Sequence, residues 1–157
     1  MKIELDLVEP IQDSPPEEIA RIILARFGIT PKKKDGTAQM QKLLLELYER
    51  KKEANREKKP EKAVMTVEEM GLYAGIKRQT MYDYLSRWLI INLLKKTSFV
   101  NQGKIVTGYE LNGTNLESAF KKAEFALKAH LEQTIELVKL LQNEVKREKL
   151  KAHVNND

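Results

Sequence analysis

The 157-residue sequence has no cysteine and only two histidines, His130 and His153. Without cysteine, a disulfide framework, a thiolate zinc site and a cysteine nucleophile are all excluded. Both histidines lie near the carboxyl end, in no recognisable catalytic or metal-ligand spacing, and a Gly-rich phosphate loop is also missing. We therefore expect neither an enzyme nor a metal or other cofactor. An active site assembled from scattered polar residues is the alternative that the sequence leaves open.

Long hydrophobic runs are missing as well. The longest are a few residues, against the roughly 20 that a membrane-spanning helix needs. The opening residues 1–4 show no hydrophobic region of a signal peptide. We expect a soluble, cytoplasmic protein with no membrane partner, and the length favours one compact domain with appendages.

Charge is unevenly distributed along the chain, although the net charge of +5 is modest. Residues 1–20 carry one base and six acids, so the remainder carries the whole positive excess. Residues 31–62 hold eleven bases against six acids, beginning with Lys32, Lys33 and Lys34. Such a run is either a solvated helix face with a lysine-rich loop or a phosphate-contacting surface, and the sequence leaves both open.

Residues 1–36 are predicted to form an amino-terminal extension. Apolar and acidic side chains alternate over residues 3–8, which is the period of a half-buried strand. Ser14 and Glu17 have the spacing of a capping box, with proline at the first helical position, and predict a helix to about Phe27. No role is assigned to the acidic segment 1–13.

Residues 37–113 are predicted to form the central domain. A helix begins near Met40 and ends before Pro60, and the capping box of Thr66 and Glu69 opens a short helix to about Ala74. A further helix covers about residues 78–91, and residues 93–111 read as a β-hairpin with a polar tip. Gly71 suits a close helix crossing, and Gly75 suits a left-handed turn.

Residues 114–157 contain neither proline nor glycine. They predict one long helix that begins at a capping box of Thr114 and Glu117. Apolar residues follow a 4-3 repeat from Leu127, as in a coiled coil. Such a helix is about 50 Å long, which is more than the small domain can cover. We therefore expect a second copy of the chain to pack on the apolar seam that this 4-3 repeat forms. The alternative is that the helix folds back on the amino-terminal helix. The predicted dimerisation residues are Phe120, Leu127, Leu131, Val138, Leu141 and Val145.

The predicted order of helix, extended piece, helix, turn, helix and hairpin is that of a winged helix-turn-helix. Over about residues 38–113 the chain resembles winged helix-turn-helix transcriptional regulators of bacteria and archaea. The matching features are Gly75-Ile76 at the turn, Thr80-Met81 in the second helix, and Gly108-Tyr109-Glu110-Leu111 ending the wing. Lys77 departs from the family pattern, which more often has Ser or Thr as the helix cap. The expected fold is mainly α with a small β-wing, a strand and helix extension before it, and a long carboxy-terminal dimerisation helix.

In such a unit the second helix enters the major groove of DNA and the wing reaches the backbone or minor groove. The predicted base contacts are Arg78, Gln79, Tyr82 and Asp83. The predicted backbone contacts are Lys77, Thr80, Arg87, Lys95, Lys96, Gln102 and Lys104. Asp83 either accepts from cytosine or pairs with Arg87 one turn later, and we expect the pairing.

The sequence thus predicts a homodimeric regulator that binds duplex DNA at a palindromic site. Two other functions stay open. Residues 63–113 carry six bases and four acids, a weak excess that fits a winged helix used for protein binding in a transcription, replication or segregation assembly. A non-specific architectural DNA-binding protein is the third possibility.

Overall fold

The computed structural model describes Glu9 and residues 13–155, so the predicted strand at residues 3–8 lies outside the described part. The fold is mainly helical, with one small antiparallel sheet and a long carboxy-terminal helix, as predicted. Its main elements are α1 (Pro16–Arg26), α2 (Met40–Glu57), α3 (Val67–Ala74), α4 (Arg78–Ile90), β1 (Leu94–Asn101), β2 (Lys104–Leu111) and α5 (Leu116–Asn155). Short 3₁₀ turns lie at Lys33–Asp35 and Pro60–Ala63.

The chain divides into two compact units, the first ending at Ala123 and the second beginning at Glu124. In the first unit, α2 is the central helix and packs against α1, α3 and β2. It buries Leu43, Leu44 and Leu47 almost completely, so these three leucines form the middle of the core. Burial of such side chains contributes about 1.5–3 kcal/mol each to stability.

The helix starts show where local sequence signals succeed and where they shift. At α3 the predicted capping box is confirmed, because Thr66 and Glu69 bond reciprocally to each other's backbone amides. At α1 the predicted N-cap is displaced by one residue: Pro15 occupies it instead of Ser14, and proline does occupy the first helical position. At α5 the box is displaced by one residue, since Asn115 Oδ1 accepts from the Ser118 amide and Ser118 Oγ accepts from the Asn115 amide.

The hairpin is predicted correctly within one residue at its start. Strands β1 and β2 are antiparallel in the register Leu94 to Leu111 through Asn101 to Lys104. The two turn residues, Gln102 and Gly103, both have positive φ, which is the conformation of a type I′ turn. This turn matches the natural strand twist, so the hairpin tip is tightly defined.

A third extended segment joins the sheet at Met65. Backbone hydrogen bonds of 2.9 and 2.8 Å run between Met65 and Tyr109 in both directions. The two backbone segments approach so closely that a Cβ on Gly108 would lie 2.5 Å from the Met65 carbonyl oxygen. The residues before α3 are therefore fastened to the hairpin, and glycine is required at position 108.

Helices α3 and α4 cross closely through a tight turn, as the two glycines predicted. A Cβ on Gly71 would lie 2.9 Å from the Ile76 carbonyl oxygen. Gly75 ends α3 in the left-handed conformation, with φ of 68°. The two helices therefore cross closely, as the positions of Gly71 and Gly75 predict.

Helix α5 contains 40 residues, which corresponds to about 60 Å. Its first turns, with Ala119 and Ala123 buried, belong to the first unit. Every residue from His130 to Asn155 is exposed. Within residues 13–155, no helix combines the length and the hydropathy required to cross a bilayer.

Candidate nucleic-acid interface

Helix α4 has one buried face and one exposed face. The buried face carries Met81, Tyr84, Leu85 and Trp88, which recur at intervals of three and four residues. The opposite side presents the four predicted base-contacting residues, and all of them are exposed: Arg78, Gln79, Tyr82 and Asp83. The structure therefore places these four side chains on one accessible surface near the amino end of a fixed helix.

Arg78 is held within this surface by two neighbours. Its Nε lies 3.2 Å from Glu68 Oε1, and its guanidinium donates to the Tyr82 hydroxyl at 3.4 Å. The hydrogen bond to Tyr82 and the charge of Glu68 raise the pKa of Arg78 above its ordinary value. Because Arg78 and Glu68 are both exposed, this ion pair is weak and exchanges readily for another acceptor.

The predicted pairing of Asp83 with Arg87 is wrong. Arg87 instead places its guanidinium over the ring of Tyr84, 5.3 Å from the ring centre. Residues three apart on a helix are as close as residues four apart, and the aromatic face attracts the cation. Asp83 remains exposed, and its carbonyl oxygen accepts a hydrogen bond from the Ser86 hydroxyl.

The hairpin lies next to α4 and presents its own cations. Lys95, Lys96, Gln102 and Lys104 are all exposed, as expected for backbone contacts. Lys95 has an internal partner, because its Nζ lies 3.8 Å from the buried Glu110 Oε1. Strand β1 of the hairpin contacts α4. Burial and the neighbouring Tyr82 raise the pKa of Tyr109 on β2.

A second group of cations, Lys32, Lys33 and Lys34, lies beside α4; the sequence left a phosphate-contacting role for this run open but did not include it among the predicted site residues. The amide of Lys32 donates to the Tyr84 hydroxyl at 2.9 Å, and this hydroxyl donates to Asp35 Oδ2 at 2.5 Å. Burial and the bond to Asp35 raise the pKa of Tyr84. Since these partners are about fifty residues apart in sequence, the local pattern shows the lysine run but not its position.

The predicted dimerisation residues separate into two environments. Phe120 packs within the first unit, with its ring centre 5.0 Å from that of Phe27. It borders an apolar groove of about 540 Å³ whose walls are formed by α1, α2 and the first turns of α5. Leu127 is half-buried, whereas Leu131, Val138, Leu141 and Val145 are exposed on the helix of the second unit. Phe120 is therefore half-buried against Phe27 within the first unit, whereas Leu131, Val138, Leu141 and Val145 form an exposed apolar seam.

Among the described residues, no three histidine, aspartate or glutamate side chains are grouped to hold a metal ion. No protein-family model and no curated protein matches this chain.

Proposed function

We propose that this chain is a winged helix-turn-helix protein that binds double-stranded DNA sequence-specifically, as a homodimeric transcriptional regulator. Helix α4 enters the major groove, and the β1–β2 hairpin contacts the backbone or minor groove. The observation that carries this proposal is the two-faced α4, with aromatic and aliphatic anchors on its buried side and Arg78, Gln79 and Tyr82 on the exposed side.

Two further features of the first unit support it. The glycine crossing of α3 and α4 and the adjoining hairpin are the parts that a winged helix-turn-helix requires. The bridge between Met65 and Tyr109 supplies the short third strand beside the wing. The hairpin and α4 then form one structural unit, which holds the base-contacting side chains in the defined positions that base recognition requires.

Sequence readout is assigned to the exposed face of α4. A guanidinium such as that of Arg78 bonds both guanine O6 and N7, and the amide of Gln79 bonds both adenine N6 and N7. Glu68 holds Arg78 in the free protein and releases it when a base replaces the carboxylate. Each such bidentate contact provides about 1–3 kcal/mol of discrimination.

Orientation on the duplex is assigned to phosphate contacts around this face. Lys77 is the N-cap of α4, Thr80 lies in its first turn, and Arg87 lies in its last turn. The hairpin adds Lys95, Lys96, Gln102 and Lys104. These contacts carry no base information, so they set register and make binding depend on salt.

Dimerisation is assigned to residues 127–145 of α5. Leu131, Val138, Leu141 and Val145 keep the 4-3 spacing and are all exposed. A second copy of the chain supplies the same seam, and a two-fold dimer presents two α4 helices to the half-sites of a palindrome.

Titration of the full chain against labelled genomic fragments at two salt concentrations tests the proposal. We expect one preferred fragment and an affinity that falls as salt rises. Equal binding to all fragments indicates an architectural protein instead. Absence of binding at low salt refutes DNA binding altogether.

A winged helix used for protein binding is the second candidate, and one observation favours it. Leu72 on α3 is 82% exposed, and the cross-strand pair Val100 and Ile105 near the hairpin tip is exposed too. Large exposed apolar side chains are a feature of protein-binding surfaces. Under this candidate, Leu72→Ser abolishes partner capture, and the wild-type chain binds no duplex even at low salt.

A further inference from the structure

The strongest unassigned feature is the basic loop formed by Lys32, Lys33 and Lys34. All three side chains are exposed, while the backbone that carries them is fixed to α4. One tyrosine makes the connection: the Tyr84 hydroxyl accepts from the Lys32 amide and donates to Asp35. The lysine run is therefore anchored to the same helix that carries the predicted base contacts.

The loop and the turn before α4 enclose an open depression of about 470 Å³. Lys34 of the loop, Lys77 of the turn and Thr80 of α4 are among the residues that line it. Asp35 also borders the depression, and its carboxylate accepts a hydrogen bond from the Tyr84 hydroxyl. The charged residues that line the depression are Lys34, Lys77 and Asp35, a net charge of +1, and Lys32 and Lys33 add two exposed cations on the same loop, so an anionic oxygen group can enter this space.

We propose that this depression, between Lys34 and Lys77, binds a phosphate of the DNA backbone, and that Tyr84 is the positioning residue that holds the loop there. This inference depends on the proposed function, because the phosphate belongs to the duplex read by α4. It adds the loop of residues 32–35 to a contact surface that otherwise consists of α4 and the hairpin. Arg87, stacked on the ring of the same Tyr84, lies in the same cationic arrangement.

Tyr84 joins the loop of residues 32–35 to α4. Its ring is buried in the core, so its hydroxyl has a defined position from which to hold the loop. A second backbone bond, from the Gln39 amide to the Ala74 carbonyl at 2.8 Å, fixes the far end of the loop to α3. A lysine that binds phosphate from a loop held at both ends loses less backbone conformational entropy on binding than a lysine on a free tail does.

The test compares Lys34→Gln with the matched control Lys59→Gln in the full chain. Lys59 is equally an exposed lysine, but it follows the opposite end of α2, a helix about 27 Å long. Both variants remove one charge. The probe is a fluorescent duplex of random sequence, titrated by anisotropy at salt concentrations from about 50 to 200 mM.

We expect Lys34→Gln to reduce the slope of log affinity against log salt by about 0.9, which corresponds to about eightfold weaker binding near 0.1 M salt. Lys59→Gln should retain the wild-type slope. Equal behaviour of the two variants overturns the inference, whether both keep the slope or both lose it. If the wild-type chain binds no duplex, the proposed function itself is refuted. That outcome differs from duplex binding in which Lys34→Gln and Lys59→Gln behave alike, which overturns only this inference.

Tyr84→Phe tests the positioning residue, because it removes the hydroxyl and keeps the buried ring. We expect faster hydrogen exchange at the Lys32 amide, together with a loss of salt slope similar to that of Lys34→Gln. The double variant Tyr84→Phe/Lys34→Gln should lose little more than either single variant, since both affect one contact. A Tyr84→Phe protein with weaker binding but an unchanged slope assigns Tyr84 a structural role only and overturns its positioning role.

Discussion

Lys51 and Glu110 form an ion pair that is buried between α2 and β2, with 2.5 Å between Nζ and Oε1. Both side chains are about nine-tenths buried. The pair joins the central helix of the core to the strand that ends the hairpin. It therefore helps to hold the hairpin in place against α2, which is the geometry that the proposed DNA contact needs.

Removing one partner of this pair should be costly. Lys51→Met leaves the Glu110 carboxylate buried with only the more distant Lys95, so we expect a loss of about 3–5 kcal/mol in the free energy of unfolding. Denaturant unfolding measures this loss. The control is Lys52→Met at the exposed neighbouring position, and its free energy of unfolding should be within about 0.5 kcal/mol of wild type. The double variant Lys51→Met/Glu110→Met should be less destabilised than Lys51→Met. A stability of Lys51→Met equal to that of Lys52→Met contradicts this account.

Two glycines should differ in the cost of adding a methyl group. At Gly108 a Cβ would collide with the Met65 carbonyl and the Val64 side chain, so Gly108→Ala should lose about 3 kcal/mol. At Gly75 a Cβ would meet open space among the described residues, and only the positive φ opposes it. Gly75→Ala should therefore lose only about 1 kcal/mol. Thermal unfolding of the two variants compares them, and the reverse ranking would show that the strand bridge at Met65 is not formed.

The stability of the α2–α3 contact should depend on pH through Glu69. Burial raises the pKa of this carboxyl, but the bonds from Arg50, at 2.7 Å, and from Thr66 outweigh it, so the pKa is lowered. A lowered pKa contributes stability above the ordinary glutamate value of about 4.3, and this contribution is lost as pH falls through the folded value.

Urea midpoints of wild type and Glu69→Gln should accordingly differ at neutral pH and converge as pH falls below about 4.3. The exposed Glu61→Gln serves as the control and should track wild type throughout. A constant gap between wild type and Glu69→Gln across this range would rule out the linkage.

The apolar seam of α5 should control the oligomeric state. Leu131 and Leu141 lie on the 4-3 repeat, whereas Leu140 and Leu150 lie off it, although all four are exposed, at 57%, 62%, 53% and 61%. We expect Leu131→Glu/Leu141→Glu to be monomeric by light scattering, because four like charges would meet in the dimer seam. Leu140→Glu/Leu150→Glu should remain dimeric. Dimers in both variants would place the interface elsewhere, and monomeric wild type would refute the dimer.

Base readout and backbone contact should separate in two single variants. Arg78→Ala should cost about 1–3 kcal/mol on the preferred fragment and much less on random duplex, because it removes a base contact. Lys104→Ala should weaken both alike and lower the salt slope by about 0.9. Competition titrations on both duplexes measure the two effects. Equal losses on both duplexes for Arg78→Ala would mean that α4 does not read bases.

Local patterns alone predicted most elements of the described chain. The helices, the hairpin and the two glycine positions follow from spacing of apolar residues, turn chemistry and backbone sterics, all of which act within a few residues. The errors are of short range too: at α1 the residue at the N-cap is Pro15 rather than Ser14, and at α5 the capping pair moved by one residue. Several residues at each helix start could cap, and the surrounding packing selects among them.

The candidate site was predicted in part for the same reason. The exposed face of α4 follows from its own periodicity, so Arg78, Gln79, Tyr82 and Asp83 were found in the sequence. The partner of Arg87 was not, because Tyr84 and Asp83 are both within reach along one helix and only the packed orientation of the ring decides between them.

The sequence by itself determined which helices have a buried face, where the chain turns, and that the last helix carries an open apolar seam. Only the tertiary structure decided that Phe120 packs on Phe27, that Lys51 meets Glu110, and that Tyr84 holds the lysine loop beside α4. These contacts join residues that are 52 to 93 positions apart. Periodicity describes each segment alone, whereas such contacts depend on how whole helices and strands pack around the shared core.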